Sequence, residues 1–225
     1  MNQANNFDDF ASDYKGHISD ALGVLGGDVN YYVERKVQIL RKLLKGQKIE
    51  RILDFGCGIG QAVPFLKNYF DPATLVGSDS SSESLAIAHH QYNFLATSEP
   101  NQLEDQYFDL IFVSNVLHHI DPVKRADVMR QLCSKLRIGG KIAVFEHNPF
   151  NPITRRVVGN CVFDEGVELL SSKNVRRLLE ESKLINEVIC GYCMFVPEKM
   201  RRLNRLEGFL TRIPLGGQHF SLGSR

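Results

Sequence analysis

Asp54 is followed by glycines at alternate positions, Asp54-Phe55-Gly56-Cys57-Gly58-Ile59-Gly60, directly after the apolar pair Ile52-Leu53. Glycines spaced in this way let the chain turn tightly from a strand into a helix, and they let a ligand approach the main chain because no Cβ is in the way. Turns of this type commonly hold nucleotides, and the surrounding residues decide which. A dinucleotide loop carries glycine at its first, third and sixth positions; with Gly56 and Gly58 in place, the sixth falls on Gln61. A carboxylate at the strand end would also lie beside the pyrophosphate that such a loop carries at its helix N-terminus, where like charges repel. The ligand of this turn is therefore expected to lack phosphate and to carry positive charge.

S-adenosylmethionine meets both conditions, with an adenosine, no phosphate, an α-ammonium group and a sulfonium. The string Asp54-x-Gly56-x-Gly58-x-Gly60 resembles the first motif of class I S-adenosylmethionine-dependent methyltransferases, of the small-molecule, methyltransferase type 11/12-like kind. Asp79 ends the run Leu75-Val76-Gly77-Ser78-Asp79, about twenty residues beyond the loop, the spacing at which an acid accepts both ribose hydroxyls. The other reading of Asp79 is a solvated turn residue before a helix cap. The resemblance further implies Ser80 beside the adenine, and Ser98 or its neighbour Thr97 at the adenine amino group, with Ser98 preferred. Phe108 to Ser114 opens into Asn115-Val116-Leu117-His118-His119, similar to the family's segment that meets the methionine part of the cofactor through Asn115 and Val116. Lys135 to Lys141 resembles its turn into strand five. Cofactor contacts are thus expected at Asp54, Gly56, Cys57, Gly58, Asp79, Ser80, Ser98, Asn115 and Val116, and Tyr14 resembles the lid tyrosine of many small-molecule members. Tyr14 reads equally well as a core aromatic of an amphipathic helix.

In such a reaction the sulfonium makes the methyl group electrophilic, and the protein's main contribution is alignment for in-line displacement. A general base is needed only where the accepting atom loses a proton during attack. The candidates are His118 and His119 after strand four and Glu146 and His147 after strand five. Adjacent residues face different ways, so at most one of each pair is expected in the pocket. A metal reading of His118, His119 and His147 requires acidic co-ligands beyond Glu146, so no metal is expected. Arg155-Arg156 follows strand five and suits a carboxylate or phosphate on the acceptor.

These groups must be positioned by a sheet. From about Ile49 the chain alternates short apolar runs with amphipathic stretches, the pattern of βα units. Strands are expected near 50–55, 74–79, 93–97, 108–114, 140–146, 185–193 and 218–223. Helices are expected near 61–70, 83–92, 122–136, 171–182 and 198–211. Ser80-x-x-Glu83 reads as a capping box, Asp121-Pro122 as an N-cap with a first-turn proline, and Gly139-Gly140 as a helix stop. Phe7–Leu22 and Tyr31–Leu44 read as helices capping the ligand edge, and 148–170 as an irregular substrate loop. The fold expected is a doubly wound, Rossmann-like α/β domain: a mostly parallel seven-stranded sheet with an antiparallel last strand, a helical cap over 1–46 and a core over 47–225, one domain in all.

The chain has 225 residues, 43% hydrophobic, with a net charge of +1. That balance gives no bulk field toward nucleic acid or an anionic bilayer. No run approaches a membrane span, and residues 1–6 carry neither a basic start nor an apolar segment, so a cytoplasmic protein is expected. Five cysteines suit reduced thiols, and Cys190-Gly191-Tyr192-Cys193 lies in an apolar run that reads as a buried strand. The basic, aromatic-interleaved tracts of RNA-modifying relatives are missing, as is the Asn/Asp-Pro-Pro-aromatic tetrad of amine-methylating nucleic-acid enzymes. The leading expectation is methyl transfer to a small-molecule acceptor. The alternatives are an NAD(P)-dependent oxidoreductase and a non-catalytic S-adenosylmethionine-binding module.

Overall fold

The computed structural model describes residues 28–225. Tyr14 and the expected helix Phe7–Leu22 lie outside them. The first element, α1 (Val29–Leu43), starts at the N-cap Asp28, whose side chain accepts from Asn30 N, and carries Arg41 and Lys42 in its last turn. An acid at the start and cations at the end both complement the helix dipole. Its apolar stripe of Val33, Val37 and Leu40, continued by Leu44, faces the sheet and helix α2 (Val63–Phe70).

Seven strands follow: β1 (Arg51–Phe55), β2 (Thr74–Ser78), β3 (Leu95–Thr97), β4 (Phe108–Ser114), β5 (Leu136–His147), β6 (Glu187–Cys193) and β7 (Gln218–Ser224). Their order is β3-β2-β1-β4-β5-β7-β6, and only β7 runs against its neighbours. This matches the expected mostly parallel sheet with an antiparallel last strand. Strand alternation divides the core: Ile52, Phe112 and Phe145 pack with α1 and α2 on one face. Leu53, Ile111, Val113 and Val144 pack on the other face against α4 (Arg125–Lys135) and α6 (Ser172–Glu181). Both faces are covered, which is why β4 reads as a nearly unbroken apolar run. Its one acid, Asp109, is buried and accepts from the main-chain N–H of Glu50 and Arg51 and from the Arg137 guanidinium.

Several local expectations shift. The cap of α3 (Ser82–Tyr92) is Ser81, accepting from Ser84 N, rather than Ser80. Asp121 instead forms a side-chain turn with Val123 N, and the regular helix begins only at Arg125. Gly139-Gly140 does not end that helix. It bulges β5, where the register jumps between Phe108↔Leu136 and Leu110↔Lys141. The stretch 148–170 is not irregular throughout: Asn151 caps α5 (Pro152–Gly159) by accepting from Ile153 N and Thr154 N, with Pro152 in the first turn. Residues 198–206 form a 3-10 segment kinked at Met200 rather than an α-helix, followed by the single turn α7 (Glu207–Leu210). Among the described residues no helix is long and apolar enough to cross a membrane.

Candidate active site

The strand order reverses direction between β1 and β4, and in open α/β sheets ligands sit in the crevice at the carboxyl ends of the strands flanking such a switch. The glycine turn is there. Gly56, Gly58 and Gly60 all adopt left-handed φ values of 70°, 51° and 80°. Main-chain N–H groups of Gly56 and Cys57 donate to Ser78 O at 2.7 and 3.0 Å, tying the turn to the end of β2. A Cβ on Gly56 would lie 2.3 Å from Val116 Cγ2, whereas one on Gly58 would meet nothing within 4 Å. Gly56 is thus demanded by packing, and Gly58 borders open space of the kind a ligand fills.

Asp79 accepts from Gly58 N at 2.7 Å through Oδ2 and from Ser81 N at 3.0 Å through Oδ1. A carboxylate oxygen has two acceptor sites, so each still offers one to a hydroxyl. Asp54 is 2% exposed, and burial first, then the nearby Asp79, raises its carboxyl to about 7. Its Oδ2 is buried without a hydrogen-bond partner, as are Asn115 Oδ1 and Gln61 Nε2. Asn115 is itself held at φ 57°, its N–H donating to Phe145 O at 2.8 Å. Buried polar atoms are costly without partners: the two orphaned acceptors are satisfied by a ligand bearing donors and positive charge, and the Gln61 amide N–H by an acceptor such as a ligand carboxylate. These residues fit S-adenosylmethionine.

One cavity of about 720 Å³ runs along this edge. Gly56, Gly58, Asp79, Ser80, Ser98, Asn115 and Val116 line it, together with His118, His119, His147 and Asp164. Cys57 has a different place: it is buried in the core, and its thiol packs where a Cβ on Gly77 would stand. Asp54 is buried beneath the turn. From α5, Ile153, Thr154 and Val157 line the cavity, while Arg155 and Arg156 are exposed.

Glu146 is fully buried and accepts from Val116 N at 3.1 Å and Leu117 N at 2.7 Å through Oε1. Its Oε2 pairs with His118 Nδ1 at 2.5 Å. The far nitrogen of His118 faces Asp164 Oδ1 at 3.3 Å, and His119 Nε2 lies 3.4 Å from that same oxygen. Burial alone would lower the His118 pKa, but the Glu146 and Asp164 carboxylates outweigh it and hold the imidazole up at about 9. Burial and the His118 charge push His119 down to about 4 and His147 to about 3. Glu146 is held down to about 2, since the charge of His118 outweighs its burial. His118 and His119 both line the cavity, against the expectation of one, because the short 3-10 turn Leu117–His119 brings the neighbouring rings to 4.1 Å; of Glu146 and His147 only His147 lines it.

Two site residues escaped sequence reasoning. Lys36, on the apolar stripe of α1, is 2% exposed and donates to Ser114 Oγ at 2.8 Å; burial lowers its pKa to about 8. A lysine between Val33 and Val37 was the available signal. Asp164 ends the 3-10 turn Val162–Asp164 and had no such signal, because only the path of the chain brings it to the histidines. Next to Lys36 in sequence, Arg35 ties α1 to α7 through a buried ion pair with Glu207 at 2.6 Å, and Glu207 also accepts from Phe195 N and Val196 N.

Residues 53–142 match the family described as methyltransferase domain. That stretch, from β1 into β5, is similar to methyltransferase domains. A trans-aconitate 2-methyltransferase of Variovorax paradoxus (strain S110) is 31% identical over 101 residues, 42% of this chain. The chain spans well under half the length of that relative, 37%. Among solved structures, a SAM-dependent methyltransferase from Archaeoglobus fulgidus superposes with a TM-score of 0.66 at 19% identity, over 89% of this chain and 95% of that one. A Haemonchus contortus phosphoethanolamine N-methyltransferase 2, in complex with phosphomonomethylethanolamine and S-adenosylhomocysteine, gives 0.66 at 15% identity, over 100% of this chain and 60% of that one. At these identities the two structures bear on the fold alone.

Proposed function

We propose that this protein transfers a methyl group from S-adenosylmethionine to a small anionic acceptor bound beside the histidines of the cavity. The observation that carries the reading is the shared cavity, in which the glycine turn and the cluster of His118, His119, His147 and Asp164 face one space sized for small ligands. When bound, S-adenosylmethionine supplies an electrophilic methyl group on sulfur. The chain supplies alignment and exclusion of water, contributions on the order of 7–11 kcal/mol where reactants are well oriented.

Glu146 has both oxygens engaged, so it positions His118 and the turn after β4 rather than meeting the acceptor. His119 has a side chain 20% exposed, against 1% for His118, and is the imidazole best placed to take a proton from the acceptor. Lys36 is the group assigned to an acceptor carboxylate or phosphate. Of the three donors of its ammonium, Ser114 takes one. Arg155 and Arg156, exposed on α5, are less suited to that task. The relative named for trans-aconitate supports an acid as acceptor. An oxidoreductase is disfavoured by Gln61 at the sixth loop position, and a silent binding module has no use for an open acceptor cavity.

The test is incubation with methyl-labelled S-adenosylmethionine and a panel of small organic acids, phosphates and neutral amines, read by mass spectrometry. Label is expected in an acid or phosphate. Preferential binding of NADH, or label confined to neutral amines, would overturn the respective half of the reading.

A further inference from the structure

We propose that His118, His147 and Asp164 form a binding site for a divalent first-row transition ion of the zinc, iron or cobalt type, open on its fourth side to an oxygen of the acceptor. The ligating atoms of these three residues lie within 4.8 Å of one another and face the cavity. Tetrahedral coordination with bonds of about 2.0–2.2 Å separates neighbouring ligand atoms by about 3.3–3.6 Å. Asp164 Oδ1 stands 3.3 Å from His118 Nε2, long for a hydrogen bond and close to that ligand spacing.

The surroundings are those of a metal site. Glu146 engages His118 Nδ1 and is itself held by two main-chain N–H groups, so Nε2 is presented to Asp164. A carboxylate behind an imidazole in this way orients the ring and strengthens it as a ligand. His119 Nε2, 3.4 Å from the same Asp164 oxygen, flanks the open position. Two imidazoles and one carboxylate suit a borderline transition ion, whereas magnesium and calcium prefer oxygen donors throughout. Three protein ligands with one open place is the pattern of sites that act on a substrate rather than ones that brace a fold. The sequence argued against a metal for want of an acid beyond Glu146, and Asp164 is that acid. An ion here would hold a carboxylate or hydroxyl of the acceptor, complementing Lys36.

The experiment is titration of chelator-treated full-length protein with cobalt chloride, followed by visible absorption, and with zinc chloride by calorimetry. Expected are the d–d bands of a low-coordinate nitrogen and oxygen site, competed away by zinc and not by magnesium. Asp164→Asn and His147→Gln should each weaken cobalt binding more than about tenfold, and Glu146→Gln, behind the ligand, by about 10–100-fold. Circular dichroism and S-adenosylmethionine affinity, measured on the same samples, report whether each variant is folded. Absence of cobalt binding, or binding unchanged in folded Asp164→Asn and His147→Gln, overturns the proposal. Methyl transfer by metal-free protein with an unchanged acceptor KM would overturn the acceptor's place on the ion while leaving the proposed function standing.

Discussion

Glu146 on β5 and His118 beyond β4 are joined by a 2.5 Å bond in the core, and the second oxygen of Glu146 gathers Val116 N and Leu117 N. One buried carboxylate thus fixes the turn that carries both Asn115 and Val116, which line the cavity, and the histidines. Removing one member of a buried charged pair leaves the other uncompensated, at a cost of about 3–5 kcal/mol. Glu146→Ala should lower stability by that amount in urea unfolding, with His118→Ala and Glu146→Ala together costing less than the sum of the two. Strict additivity would show that the pair is not coupled.

Gly56 and Gly58 should separate when each is changed to alanine. At Gly58 the new methyl group enters open space, so stability should fall only by the cost of the left-handed backbone, about 1–2 kcal/mol. S-adenosylmethionine affinity should nonetheless fall more than about tenfold, or about 1.4 kcal/mol. At Gly56 the methyl group meets Val116, so thermal stability should fall further than for Gly58→Ala. Equal melting temperatures for the two variants would contradict this account.

Asp54 ties cofactor binding to pH. Its carboxyl is raised from 3.8 to about 7 in the folded chain, chiefly by burial, so the folded state holds more protons than the unfolded one between those values. Its contribution to stability is therefore present below about pH 4 and lost as pH rises toward 7. A cationic ligand favours the ionised form, so S-adenosylmethionine should bind more tightly as pH rises toward 7 and release a proton on binding at pH 6. Calorimetry in buffers of different ionisation enthalpy measures that proton, and heats independent of buffer would remove Asp54 from the ligand's field. Asp54→Asn should stabilise the ligand-free protein at pH 8 and weaken binding.

Asp79→Ala should weaken S-adenosylmethionine binding by about 1.5–3 kcal/mol, the range for hydrogen bonds to a charged group. It should also loosen the glycine turn, since Asp79 accepts from Gly58 N and Ser81 N. Unchanged affinity would mean that the ribose lies elsewhere.

Lys36 is buried with its pKa lowered to about 8, so it opposes folding at neutral pH and ceases to do so as pH rises from 8 toward 10.5. Lys36→Met should raise neutral-pH stability by about 1–3 kcal/mol, since a tenfold change in proton affinity is worth about 1.4 kcal/mol and the site relaxes in part. The acceptor KM should rise severalfold with S-adenosylmethionine affinity unchanged. Loss of S-adenosylmethionine affinity instead would assign the lysine to the cofactor's carboxylate and remove its support for an anionic acceptor. Arg155→Ala with Arg156→Ala should leave KM unchanged.

Local rules made much of this protein legible in its sequence. The glycine turn, Asp79 about twenty residues on and the apolar runs of β1, β4 and β5 depend on φ preference, strand alternation and spacing, all written into short stretches of chain. They were enough for the sheet class and the cofactor. Short-range signals misled where a neighbour in space overrode them: the bulge at Gly139-Gly140 is set by exchange of hydrogen bonds with Arg225, and Asn151 starts a helix in a stretch whose Asn, Pro and Gly content suggested a loop.

What gathers around the histidines was decided only by tertiary structure. Lys36 and Asp164 lie far from the histidines in sequence, and their approach follows from α1 docking on the sheet face and the chain folding back after α5. The charges of the histidines follow from that same packing. His118 and His119 are chemically identical neighbours, yet two carboxylates outweigh burial at the first, while burial and then the charged His118 ring outweigh Asp164 at the second, so one is held up at about 9 and the other pushed down to about 4. Spacing along a chain encodes backbone geometry, whereas the field at a buried group is a sum over neighbours that no local stretch contains.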